Sequence, residues 1–187
     1  MAKFTQKAIM SAFLDLLHRM SLDKITVKDI VDECGINRNT FYYYYQDIYD
    51  LLEDVFETEY NMVMSQASDE DNFEDACRRA THLILEYKEA IEHMYQSKSR
   101  EVLLKYLGDV TGHLVKRFVE KRAKELKKPL KADELQHACD FFASAFFGRE
   151  VYWLRGGLKK DPEQDIVWMS EIFEGSLDAV LESCKRG

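Results

Sequence analysis

Thr26-Val27-Lys28-Asp29-Ile30-Val31-Asp32-Glu33-Cys34-Gly35-Ile36-Asn37-Arg38-Asn39-Thr40-Phe41-Tyr42-Tyr43-Tyr44-Tyr45-Gln46-Asp47 is the stretch on which the fold turns. Thr26 reads as a helix N-cap, with Asp29 at the third helical position as a shortened capping box. Ile25 and Ile30 stand where a hydrophobic staple would. Apolar Ile30, Val31 and Cys34 carry this helix only as far as Gly35, which fits the left-handed residue that ends a helix. Asn37 can cap a third helix at once, and Asp47 a fourth that runs through Leu51, Leu52, Val55 and Phe56. Short helix, glycine turn, short helix is the helix-turn-helix arrangement, whose second member is built to lie in a DNA major groove, N-terminal residues foremost.

Upstream, Phe4, Ala8, Ile9, Ala12, Phe13, Leu16, Leu17 and Met20 keep helical spacing, and Ser21-Leu22-Asp23-Lys24 breaks it. Downstream the chain reads as longer helices. Ser68-Asp69-Glu70-Asp71 puts acid at the start of one continuing to about His93, favourable for the helix dipole. Another covers about Val110 to Leu126 and leads into Lys127-Lys128-Pro129-Leu130-Lys131; with Lys116, Arg117, Lys121, Arg122 and Lys124 this is a basic run, read as a solvated helix C-terminus. The stretch from Leu135 to Trp153 is apolar on two sides and must bury both, until Gly156-Gly157 stops it. Asp161 caps the final helix with Pro162 in its first turn. Pairing of the last two helices with their copies would give a four-helix dimer interface, for which Phe142, Phe146, Met169, Phe173, Leu177 and Val180 are the candidates. The fold class expected is all-α.

The chain has 187 residues, 46% of them apolar, enough for a real core and too apolar for a disordered chain. Eight glycines and two prolines are too few turn breakers for a sandwich or barrel. The start has no signal-peptide block, and the most apolar stretch, Phe141 to Phe147, is far short of the roughly 20 residues that span a bilayer, so a cytoplasmic protein with no membrane partner is expected. A net charge of −8 opposes non-specific coating of nucleic acid. Residues 1–50, however, hold six Lys/Arg against seven Asp/Glu, a near-neutral segment on an acidic remainder. Cys34, Cys77, Cys139 and Cys184 form no CxxC and read as packing residues, and the five histidines show no HExxH spacing. No metal and no cofactor is expected. Phosphate loops and nucleophile elbows are absent from the sequence, which argues against an enzyme.

Residues 26–51 resemble the reading head of the TetR/AcrR family. Ile30, Gly35, Ile36, Thr40, Tyr42, Tyr45 and Leu51 agree in register behind a 20-residue amphipathic helix, and the similarity covers about residues 5–56. The region around Trp153 and Gly156 is similar to a branch of that family containing regulators of dihydroxyacetone kinase operons. The resemblance implies a homodimeric transcription factor of about nine helices, three in a DNA-binding head (residues 1–47) and the rest in a ligand-binding, dimerising body (residues 48–187). It also implies a repressor, released by a small-molecule effector, on a palindromic double-stranded DNA operator. The family's phosphate-touching start of helix two falls on Thr26, Val27 and Lys28, and its recognition helix on Asn37, Arg38, Asn39, Thr40, Tyr42, Tyr43 and Tyr44. Where the family usually has a lysine reaching the DNA backbone from the fourth helix, this chain has Ile48, so weaker binding is expected, or compensation by Lys3, Lys7, Lys24 or Lys28.

The side-chain chemistry of this head leads to the same assignment. Arg38 can make two hydrogen bonds to guanine O6 and N7, and Asn39 or Asn37 two to adenine. Thr40 suits a phosphate or a thymine methyl. Successive helical residues point about 100° apart, so the four tyrosines cannot all face DNA. The resemblance assigns Tyr45 to the core, where the family has an aromatic; Tyr42 and Tyr43 are assigned to backbone or base contact, and Tyr44 is left open. Candidate effector-lining residues are Met62, Met64, His82, Tyr87, His93, Met94, Tyr95, Tyr106 and His113, which suit an apolar or mixed-character molecule. The alternative reading is a coactivator or adaptor of the same fold that works through a protein partner. Acidic charge and Ile48 favour it; the intact Arg38-Asn39-Thr40 and Tyr42-Tyr43 set opposes it.

Overall fold

The computed structural model describes residues 2–66, 72–125 and 130–184, and every regular element among them is helical. In chain order these are α1 (Ala2–Arg19), a 3-10 turn (Leu22–Lys24), α2 (Val27–Cys34), α3 (Arg38–Tyr44), α4 (Ile48–Gln66), α5 (Phe73–Glu86), α6 (Lys88–Tyr95), α7 (Arg100–Glu125), α8 (Ala132–Arg155) and α9 (Glu163–Cys184). No helix among the described residues is long and apolar enough to cross a membrane. The chain folds as two compact units, Met1–Gln66 with Ile84–Leu103, and Ala67–Leu83 with Leu104–Gly187.

In the first unit α1 packs against α2 and α6, and α2 against α3. The α1 positions spaced for one helical face, Ile9, Ala12, Phe13, Leu16 and Leu17, are buried with Ile30, Phe41, Leu51 and Leu52. The 3-10 turn is the break read at Ser21–Lys24; it buries Leu22 and brings Ile25 inside. α6 joins this unit through its own buried Ala90 and Met94, and His93 Nδ1 donates to the Leu17 carbonyl at 2.6 Å. That carbonyl belongs to the last turn of α1, where no further helical N–H is available to it.

The second unit is built on phenylalanine. Phe73, Phe142 and Phe173 lie in one core with Val115, Val119, Ala138, Cys139, Leu177 and Leu181. Phe73 stacks on Phe173 with ring centroids 4.0 Å apart, and Phe142 meets Phe173 edge-on at 4.8 Å. Polar ties close the edges. Arg122 of α7 forks onto Asp178 of α9 with two 2.7 Å bonds, and Arg78 of α5 bonds Glu74 and Glu163. Part of the basic run at the end of α7 is therefore held in ion pairs within the chain.

Two expectations are corrected. The single helix expected up to His93 is two, interrupted at Tyr87, whose backbone (φ −100°, ψ 23°) leaves the helix. α6 then buries Ala90 and Met94 in the first unit, a tertiary placement that local periodicity does not register. α7 begins at Arg100, ten residues before the expected start at Val110. Ser68–Asp71 and Leu126–Pro129 lie outside the described residues.

Candidate nucleic-acid interface

The helix-turn-helix is built by local chemistry. The Thr26 amide and hydroxyl donate to Asp29 Oδ2 at 2.9 and 2.6 Å, and Asp29 N–H donates back to the Thr26 hydroxyl at 3.3 Å. These bonds hold the Asp29 carboxyl below its ordinary range. At the other end of α2, Gly35 takes φ 69°, and the amides of Gly35 and Ile36 both donate to the Val31 carbonyl. Asn37 then caps α3, its Oδ1 accepting from Thr40 N–H at 2.9 Å and from the Thr40 hydroxyl at 3.1 Å. α4 is capped in the same manner: Asp47 Oδ1 accepts from the amides of Tyr49 and Asp50, and Asp50 Oδ2 from the amide of Gln46.

These caps refine the expected reading surface. Arg38 and Asn39 stand exposed at the first two positions of α3, and Arg38 is in no ion pair with any described residue. Tyr42 and Tyr43 are 54% and 80% exposed, whereas Tyr45 is 4% exposed and sits in the core. Tyr44 is half-buried, its ring edge-on to Tyr43 at 5.0 Å. Asn37 is exposed, but its Oδ1 is occupied by the cap, so it has no free acceptor for a two-bond contact to adenine; of the two candidates, Asn39 makes no side-chain hydrogen bond among the described residues. Thr26 is likewise engaged in its capping box, which leaves the amides of Val27 and Lys28 as the first-turn donors of α2. Lys28 Nζ lies 3.2 Å from Asp32, and Arg19 lies 2.8 Å from Glu33, so carboxylates of α2 accompany both cations. Lys7 and Lys24 are exposed, and the Lys3 side chain lies outside the described residues. Ile48 is half-buried, and beside it Tyr49 is 54% exposed, a residue the sequence reading does not single out.

The expected effector-lining residues fall in both units. Met94 is in the core of the first unit, where Met62 and Tyr87 are half-buried and the Tyr87 hydroxyl donates to Glu59 at 3.4 Å. In the second unit Tyr106 is half-buried, while His82 and His113 are exposed, His113 bonding the Asp109 carbonyl of its own helix. The second unit also holds Glu150 of α8, which is half-buried. Its carboxyl accepts from the Thr111 hydroxyl at 3.0 Å, yet the surrounding protein excludes water enough to push it up to about 7. The same desolvation takes the Cys77 thiol up to about 12, so this cysteine is an inert packing group.

The expected dimer-contact residues also divide. Phe142, Phe173 and Leu177 are 3%, 2% and 7% exposed, in the core of the second unit. Phe146, Met169 and Val180 are half-buried. The outward side chains of the same helices are Phe141, Tyr152, Trp168 and Ile172.

Comparison with known proteins accounts for most of the chain. The family described as bacterial regulatory proteins, tetR family, matches residues 9–55, and a transcriptional regulator C-terminal region matches residues 71–175. The HTH-type dhaKLM operon transcriptional activator DhaS of Lactococcus lactis subsp. lactis (strain IL1403) is 38% identical over 65 residues. That match spans only about a third of either protein, 35% of this chain and 35% of the relative. A solved structure described as dihydroxyacetone kinase operon activator DhaS aligns with a TM-score of 0.68 at 20% identity, over 97% of this chain and 96% of that one, a likeness of fold. With its helix-turn-helix and its C-terminal region both matched, the chain belongs to the TetR family of transcriptional regulators, proteins that bind DNA and are not enzymes.

Proposed function

We propose that this regulator reads a palindromic double-stranded operator as a homodimer, with residues 1–47 as the reading head and residues 48–187 as a dimerising, effector-binding body. One observation carries the reading: Arg38, in no ion pair among the described residues, stands at the start of a helix capped by Asn37, with Asn39, Tyr42 and Tyr43 exposed along it. Arg38 and Asn39 are the base readers. Tyr42 and Tyr43, with Lys28 and the first amides of α2, serve the phosphates.

Homodimer formation is supported by the outer face of α8 and α9. Phe141, Ala145, Gly148 and Tyr152 on α8, and Trp168, Ile172, Gly175 and Ala179 on α9, follow the same helical spacing along it, and its large apolar side chains, Phe141, Tyr152, Trp168 and Ile172, are exposed. A Cβ added at Gly148 or Gly175 would meet nothing within 4 Å in its own chain. A glycine inside a helix is about 1 kcal/mol less favourable than alanine, so packing within the chain gives no reason for either. Close approach of a second helix pair does. In such a dimer the heads meet half-sites about one DNA turn, roughly 34–36 Å, or more apart.

A small-molecule effector changes that separation only by binding two conformations of the body with different affinity. Repression released by an effector is the sign that the family resemblance implies. Activation is the second reading, favoured because both DhaS proteins are described as operon activators. The test is selection of bound duplexes from a random pool at about 0.15 M salt, followed by a reporter placed behind the recovered site. The expected result is an enriched palindrome with two half-sites; expression that rises when the protein is removed supports repression, and expression that falls supports activation. No enrichment from a folded dimer overturns the DNA-reading function and leaves an adaptor that binds another protein.

A further inference from the structure

Asp54 lies on α4, two turns into the helix, and its Oδ2 is shared by two donors. The Tyr45 hydroxyl donates to it at 2.6 Å and Gln6 Nε2 at 2.8 Å. These three side chains come from α1, from the residue that ends α3, and from α4. No cation among the described residues pairs with Asp54. Burial and the neighbouring carboxylate hold the Tyr45 phenol well above its ordinary range, so it remains a donor at any pH at which the protein works.

The arrangement matters because α3 cannot orient itself. Seven residues are far too few to form a helix alone, so its direction comes from tertiary contacts. Inward it offers Phe41, fully buried, whose ring lies tilted 5.8 Å from that of Tyr45. Apolar contact of this kind is non-directional. The bond from Tyr45 to Asp54 is directional, charge-assisted and anchored on two further helices. A carboxylate held in a partly buried site without a cation is poorly explained by stability alone, since an apolar residue would fill the space without the desolvation of a charge.

We propose that Asp54 is a positioning residue for sequence reading: through Tyr45 and Gln6 it locks the angle of α3 against α1 and α4, so that Arg38 and Asn39 meet the groove while Tyr42 and Tyr43 meet the phosphates. This rests on the DNA-reading function proposed above. The test uses the full chain and two probes, the duplex recovered by selection and a scrambled duplex of equal length, titrated at the same salt. Tyr45→Phe keeps the ring and removes the donor; Gln6→Met removes the second donor at similar size. The ratio of specific to scrambled affinity is expected to fall about tenfold in Tyr45→Phe and less in Gln6→Met. The loss should be spread over every half-site position, unlike the single-position loss of a base reader. The paired change Gln6→Glu with Asp54→Asn restores both hydrogen bonds with donor and acceptor exchanged, and is expected to return the ratio to within about twofold of the parent. A wild-type ratio near one overturns the DNA-reading function and this inference together. A wild-type ratio well above one that both single variants leave in place, whatever happens to their melting temperatures, overturns this inference alone.

Discussion

Arg38 carries the most specific expectation at the scale of a residue. It is exposed, unpaired among the described residues and first in α3, the place from which a guanidinium can present two parallel donors to guanine. Arg38→Ala is expected to cost about 1–3 kcal/mol at one base position and to relax preference there, checked by competition with singly substituted operators. Equal weakening on every duplex would reassign Arg38 to the phosphates. Glu150 makes the other residue-scale prediction. Its folded-state value of about 7 lies above the 4.5 of a free glutamate, so the folded chain binds this proton more tightly than the unfolded chain does. Its contribution to stability is therefore greatest below pH 4.5, declines as pH rises to about 7, and is constant above that. Above pH 7 the burial of the charge costs on the order of 3 kcal/mol. Glu150→Gln keeps an acceptor for Thr111 and removes the titration, so urea unfolding should find the variant more stable than the parent at pH 8 and little different at pH 4.5. A parent and variant that track each other across this range would remove Glu150 from the account.

At the scale of elements, the turn between α2 and α3 depends on Gly35. Its φ of 69° is unfavourable for any residue with a Cβ, yet nothing lies within 4 Å of where that Cβ would be. The penalty of Gly35→Ala is thus one of backbone conformation alone, about 1–2 kcal/mol, and a thermal melt of the full chain checks it. Gly35→Asn should recover part of the loss, because asparagine tolerates the left-handed region. This turn, the capping box at Thr26 and the caps at Asn37 and Asp47 were legible in the sequence because each involves residues two to five apart and chemistry that needs no distant partner. The break at Tyr87 was not. Nothing around Glu86-Tyr87-Lys88 is a helix breaker, and the interruption follows from where Ala90 and Met94 find their core.

At the scale of the whole molecule, α8 and α9 show how far apolar spacing can take an argument. The spacing of Phe142, Phe146, Phe173 and Leu177 announces helices with more than one apolar side. Which side faces the chain's own core depends on the neighbours, and Phe73, Val115 and Val119 claim Phe142, Phe173 and Leu177. Phe173→Ala is accordingly expected to cost about 3–5 kcal/mol of folding stability by leaving a cavity. Trp168→Glu, on the outer face, should leave the melt of the monomer little changed and shift sedimentation from dimer to monomer. A dimer unaffected by Trp168→Glu would move the interface elsewhere.

The all-α class and the helix-turn-helix were determined by the sequence itself, because caps, glycine turns and the helical period are local properties; the core place of Tyr45 was implied by the family resemblance. Tertiary structure alone decided what depends on residues far apart in the chain. It brought Gln6 and Asp54 together across 48 positions, half-buried Glu150 beside Thr111, and turned Phe142 inward and Phe141 outward. In each case the deciding quantity is the exclusion of water from a site that no single helix makes.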